Sequence, residues 1–202
     1  MRLFIIGLLA LSAFAQFGCL ASDGDRSANT KAAVESIHTD LSAGSCAKEI
    51  DKNDPNETPY LSCPGVAGYT LILRRVDAGR QSIDVVDTAK RVLPLNYQDF
   101  ITRHMSTLDG RVEWRVATKD GKPVPIALIV RVQAREDNDQ PEKVTDAYIA
   151  VAKITPNETC VTDRIVAGTQ SEADVRSRAD SAQERLCAPP QPPMTRDGNV
   201  IR

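Results

Sequence analysis

Five cysteines carry the plainest chemistry in this chain: Cys19, Cys46, Cys63, Cys160 and Cys187. In an oxidising compartment such residues pair as disulfides. A zinc site would instead need short paired spacings or added histidines. No CxxC spacing occurs, and the only histidines are His38 and His104. Setting Cys19 aside, four cysteines admit three connectivities, and spacing alone does not choose among them. Element lengths favour one. A strand from Cys160 to Ala167 would run roughly 26 Å. A helix from Ser171 to Cys187 would run roughly 25 Å. If Gly168-Thr-Gln170 turns the chain back, the helix ends level with the strand's start. Cys160–Cys187 is then the expected bridge, and Cys46–Cys63 remains as the second.

Compartment is read from the first residues. Met1-Arg2 is basic, and Leu3 to Ala15 is an uncharged, mostly apolar run followed by small residues. This is the layout of a secretory signal, and the run is too short for a membrane span. Residues 1–21 are therefore expected to be a signal peptide, and the protein periplasmic or secreted. Cleavage after Ala21 removes Cys19, and cleavage after Ala15 leaves it free. Lipidation of Cys19 would anchor the chain to the outer membrane. Residues 22–35 are polar and read as a linker. Residues 36–188 read as one domain, and the proline-rich 189–202 as a disordered tail.

Other chemistry is weakly signalled. There is no GxSxG stretch of the serine-hydrolase type. His104, Ser106 and Asp109 lie close in sequence, but triads assemble in space, so these three read as an exposed polar helix end. His38 reads as a surface residue. Asn56-Glu-Thr58 and Asn157-Glu-Thr159 match the glycosylation pattern and read as turns. No catalytic residue, metal site or cofactor is expected. The net charge of −2 argues against a nucleic-acid binder, and no second long apolar stretch suggests an integral membrane domain. Charge is unevenly spread: residues 71–135 hold 12 Lys/Arg against 7 Asp/Glu. Arg74, Arg75, Arg111, Arg115 and Arg131, with Arg80, lie on or beside strand-like runs. They are the candidates for a basic face toward an anionic envelope component or protein.

The elements that must carry these residues are mostly strands. Val112, Trp114 and Val116 alternate with polar residues. Asp120-Gly121 then predicts a hairpin. The return run, Val124 to Ala134, is apolar on both faces, as is Tyr148–Ile154. Further strands are expected at Tyr60–Cys63, Tyr69–Val76, Ser82–Val86 and Cys160–Ala167. Pro64-Gly-Val-Ala-Gly68 reads as a turn into Tyr69. Ser171–Cys187 places Val175, Ala179, Ala182 and Leu186 on one helical stripe, with Ser171 as N-cap. Tyr97–Leu108 reads as a weaker helix. The fold class is α+β: a mainly antiparallel sheet of about six strands, with a C-terminal helix packed on it and disulfides stapling the two.

Cys46, Cys63-Pro-Gly-Val-Ala-Gly-Tyr69, Val112-Glu-Trp-Arg115, Pro125-Ile-Ala-Leu-Ile-Val-Arg131 and a helix between Cys160 and Cys187 together resemble a group of uncharacterised bacterial exported proteins. The resemblance spans roughly residues 36–188. It implies architecture and location, and no activity. The functional expectation is a non-enzymatic envelope protein acting as a binding module. The alternatives are an inhibitor of a cell-wall hydrolase, similar to lysozyme inhibitors, and a carrier or sensor holding a small apolar or anionic ligand between sheet and helix.

Overall fold

The computed structural model describes residues 33–193, except 53, 78, 138, 139 and 141. The signal, Cys19, most of the linker and the tail beyond 193 lie outside the described residues. The chain is mostly antiparallel β. Among the described residues ten strands form two five-stranded sheets, against the single sheet of about six strands expected.

The first strand, β1 (Val34–Asp40), begins inside the segment read as linker. It is followed by β2 (Ala47–Ile50), β3 (Pro59–Pro64), β4 (Thr70–Arg75), β5 (Gln81–Val86) and β6 (Val92–Pro94). These five strands form a meander in their chain order. A single turn of helix, α1 (Tyr97–Phe100), leads back to the first sheet. That sheet continues through β7 (Met105–Lys119), β8 (Lys122–Arg135), β9 (Asp146–Ile154) and β10 (Thr159–Val166), in the order β1-β7-β8-β9-β10. The meander β2–β6 is thus an excursion between two paired neighbours, β1 and β7.

Period-two patterning explains how the sheets meet. Val112, Trp114 and Val116 of β7, and Leu128, Val130 and Val132 of β8, point to one side. Cys63, Leu71, Ile83 and Val85 of the meander face them, and all are buried in one core. The hairpin at Asp120-Gly121 has positive φ at both residues (51° and 72°), the conformation that matches the twist of its flanking strands.

The segment read as a helix over Tyr97–Leu108 is helical only for Tyr97–Phe100. From Met105 the chain is already in β7, paired with β8 from Met105↔Arg135 onward. Ser106 is fully buried there, so His104, Ser106 and Asp109 are not an exposed helix end. Long-range pairing with β8 outweighs a weak local helical period.

The second correction is the C-terminal helix. α2 covers Glu172–Asp180 and is followed by a single 3-10 turn at Ala182–Glu184. Ser171 caps it: its Oγ accepts from Asp174 N, and the Asp174 carboxylate accepts from Ser171 N, a reciprocal box. At the other end Ser181 Oγ donates to the carbonyls of Ser177 and Arg178. Such local side-chain bonding competes with helix continuation. Val175, Ala179 and Ala182 are buried against Ala127, Ile129, Val151 and Ile165, on the outer side of the β1-β7-β8-β9-β10 sheet. Leu186, expected on the same stripe, is 90% exposed because the chain is extended by then. The result is three layers: the meander, the β1-β7-β8-β9-β10 sheet and the short helix.

Both disulfides join separate elements. Cys46 and Cys63 are bonded across the start of β2 and the end of β3 (S–S 2.02 Å). Cys160 and Cys187 are bonded with Cα atoms 5.7 Å apart. The extended residues after the 3-10 turn, and not a long helix, bring Cys187 to β10, where Ala188 N donates to the Val161 carbonyl. No helix among the described residues is long and apolar enough to cross a membrane.

Candidate functional site

The arginines proposed from sequence as one basic face are distributed over two sheets. Arg74 and Arg75 belong to β4 in the meander. Arg111 and Arg115 are on β7, and Arg131 is on β8. Arg80 is paired with Asp77 at the β4–β5 turn.

Arg115 is not on a surface at all: it is 7% exposed. Its Nε and Nη2 donate to both carboxylate oxygens of Asp180 (2.6 and 3.1 Å), and Nη1 donates to Ser36 Oγ. This fork clamps the end of α2 to the sheet. Two neighbouring carboxylates, Glu113 and Asp163, do similar work. Arg176 Nε donates to Glu113 Oε1 (2.7 Å). Asp163 of β10, 7% exposed, receives Arg178 and Arg185. The short apolar stripe of α2 is thus supplemented by ion pairs on either side.

Ser36, His38 and Glu113 also meet on this outer face, so their geometry bears on nucleophilic chemistry. In an activated serine the imidazole takes the hydroxyl proton, and a carboxylate orients the imidazole from behind. Here the order differs. Ser36 Oγ donates to Glu113 Oε1 (2.5 Å) and accepts from Arg115. His38 Nε2 lies 3.8 Å from the other carboxylate oxygen. The carboxylate sits between serine and histidine, and the hydroxyl is held on both sides. Burial pushes the Glu113 carboxyl upward, but hydrogen bonds from Arg176 and Ser36 outweigh it and hold the group below its usual range. This is a structural anion among cations.

Glu158, Cys160 and Cys187 come within ligand reach of one another. Both sulfurs are committed to the disulfide, and Lys153 Nζ lies 2.6 Å from the Glu158 carboxylate. One neutralised carboxylate is a poor donor set for a cation.

What remains open is a groove of about 660 Å³ between α2 and the strands beneath it. Its apolar floor is Ile129 of β8, Ile149 of β9 and Val175 of α2. Arg111, Arg131 and Arg176 stand around it. Alternation places them there: Arg111 lies two residues before Glu113, and Arg131 two after Ile129, and Glu113 and Ile129 are cross-strand partners. Arg176 is occupied by Glu113 and Glu172. Arg131 has only an exposed, loose pairing with Asp109 (3.8 Å). Arg111 makes no ion pair within 4 Å among the described residues, though its charge also acts on Asp40, its cross-strand partner. Two strongly basic groups with spare donors therefore border an apolar strip.

The sequence alone suggests both the arginines and, as an alternative, a ligand held between sheet and helix, but not that Arg111 and Arg131 border that space, because helix and sheet must be docked before its lining is defined. No protein-family model, curated protein or solved structure matches this chain.

Proposed function

We propose that this protein is an exported, non-enzymatic binding module of the cell envelope, and that the groove beside α2 takes an oxyanion carried on an apolar body. The observation that carries the reading is the pairing of Arg111 and Arg131 with the floor of Ile129, Ile149 and Val175. A guanidinium offers a planar fork of donors that suits carboxylate and phosphate, and a dry floor takes the chain or ring behind it. A volume of about 660 Å³ is within the range of small-molecule sites, about 300–1,000 Å³. Two disulfides hold the frame, which suits an oxidising compartment. The pairing of Glu113 with Arg115 and Arg176, and the holding of the Ser36 hydroxyl between Glu113 and Arg115, favour binding over catalysis.

Calorimetric titration with octyl phosphate and with octanoate, both below their micellar concentrations, tests the reading. Either ligand should bind, and the Arg111→Ala/Arg131→Ala variant should lose at least tenfold in affinity. Binding of neither ligand, or equal binding by the double variant, would overturn it.

A further inference from the structure

A second, smaller pocket, of about 210 Å³, opens where the β4–β5 turn meets the first residues of β7. The turn is fastened there. Ser106 N donates to the Gly79 carbonyl, and Leu108 N donates to Gln81 Oε1. Gly79 packs so closely on Met105 that a Cβ would stand 2.6 Å from Met105 Cγ. Met105 is the cross-strand partner of Arg135 at the end of β8. Gln81 is the cross-strand partner of Arg75 at the end of β4. Fastening the turn therefore brings two arginines from distant strand ends into one lining.

That lining is rich in donors and poor in acceptors. Arg75, Arg80 and Arg135 contribute to it, and among the described residues Glu142 is its one carboxylate. Arg80 is occupied: Asp77 takes Nε and Nη2, and the Arg103 carbonyl takes Nη1. Arg75 and Arg135 are not. Neither makes an ion pair or a side-chain hydrogen bond among the described residues. Arg135 Nε is too deeply buried to be reached, so the donors it offers are its two terminal nitrogens. Arg75 is exposed. Gln81 has its oxygen committed to Leu108, which leaves the amide N–H groups to give. Such a lining selects a ligand made of acceptors, and three guanidiniums against one carboxylate favour a doubly charged one. A neutral hydroxyl compound would bring donors that find almost no acceptor. The volume is below the range of about 300–1,000 Å³ usual for whole small molecules and suits one oxyanion head.

We infer that this pocket binds a tetrahedral dianion, either free phosphate or the phosphate of a monoester, between Arg75 and Arg135 with Gln81 as a further donor. It shares no lining residue with the groove beside α2, and it lacks that groove's apolar floor.

Two-dimensional NMR of the oxidised protein tests it, at about pH 8, where phosphate is mostly doubly charged. Inorganic phosphate, glycerol phosphate and acetate are titrated separately at matched ionic strength. At least one of the two phosphates should shift the amides of Gly79, Gln81 and Met105 saturably and bind at least tenfold tighter than acetate. Arg75→Gln with Arg135→Gln should weaken that binding at least tenfold, as expected for losing hydrogen bonds from two charged groups, while the unbound spectrum keeps its dispersion. Arg75→Gln alone, at an exposed position, should weaken it at least threefold. The Arg111→Ala/Arg131→Ala variant should bind as the parent does, which separates this site from the groove. Tighter binding of inorganic phosphate identifies a free ion as the occupant, and equal or tighter binding of glycerol phosphate identifies an ester head; either supports the site. No saturable shift with either phosphate, acetate bound equally well, or an affinity unchanged in both Arg75 variants would overturn the assignment. So would an affinity lost with Arg111 and Arg131.

Discussion

Gly65 lies against the ring of Trp114 with no room for a side chain. A Cβ at Gly65 would stand 2.9 Å from Trp114 Cζ2 and 2.7 Å from the Tyr69 carbonyl. Trp114 is fully buried, its Nε1 donates to Thr39 Oγ1 (3.0 Å), and Tyr69 meets it edge-on at 6.2 Å. Thr39 Oγ1 in turn donates to the Pro64 carbonyl. The turn Cys63–Tyr69 is therefore a collar around one indole, tying β1, the meander and β7 together. Gly65→Ala is expected to cost about 1–3 kcal/mol, the usual penalty for overpacking. Urea unfolding would measure it, and a loss below about 0.5 kcal/mol would contradict this packing.

Arg115 bridges to Asp180 from a nearly dry position. Removing Asp180 leaves Arg115 with Ser36 and a looser contact to Glu113 (3.6 Å), so the loss is that of hydrogen bonds to a charged group, about 1.5–3 kcal/mol. Asp180→Ala should show that loss and should speed amide exchange throughout α2. An unchanged exchange pattern would mean that the clamp does not hold the helix.

Glu113 gives stability a pH dependence with a definite sign. Its carboxyl is held below the ordinary value of 4.5 in the folded chain. Its contribution is therefore present in full above that ordinary value and is lost as pH falls through the lower folded value. Glu113→Gln should be less stable than the parent at pH 7, and the gap should narrow on acidification through that range. A gap independent of pH would contradict the ionic role.

The two disulfides close loops with sequence separations of 17 and 27 residues. In the chain-entropy model each is worth about 3–3.5 kcal/mol. Cys160→Ser with Cys187→Ser should lower stability by that order and free the extended residues after the 3-10 turn first. Hydrogen exchange followed by mass spectrometry would locate the loosened segment.

Tyr97 is fully buried, and its hydroxyl has no hydrogen-bond partner among the described residues. Burial holds that phenol strongly in its neutral form. Replacing an unsatisfied buried hydroxyl with hydrogen removes a desolvation penalty. Tyr97→Phe should therefore leave the melting temperature unchanged or raise it. A clear drop would reveal a partner for the hydroxyl.

What the amino-acid sequence determined by itself was local. Alternation marked the β7–β8 hairpin and β9, Asp120-Gly121 marked its turn, and Ser171 marked the start of α2, because strand period, turn chemistry and capping act within a few residues. Strands β1, β2 and β6 escaped notice because each holds too few apolar residues to show a period; β2 is exposed throughout. Only the tertiary structure decided that the strands divide into two sheets, since a strand's pattern shows that it has a buried face but not which surface covers it. It also decided that Arg115 would be buried while Arg111 and Arg131, spaced at the same period, stay at a groove. All three face the same side, and their fates diverge because α2, arriving from sixty residues away, covers one end of that face and leaves the other open.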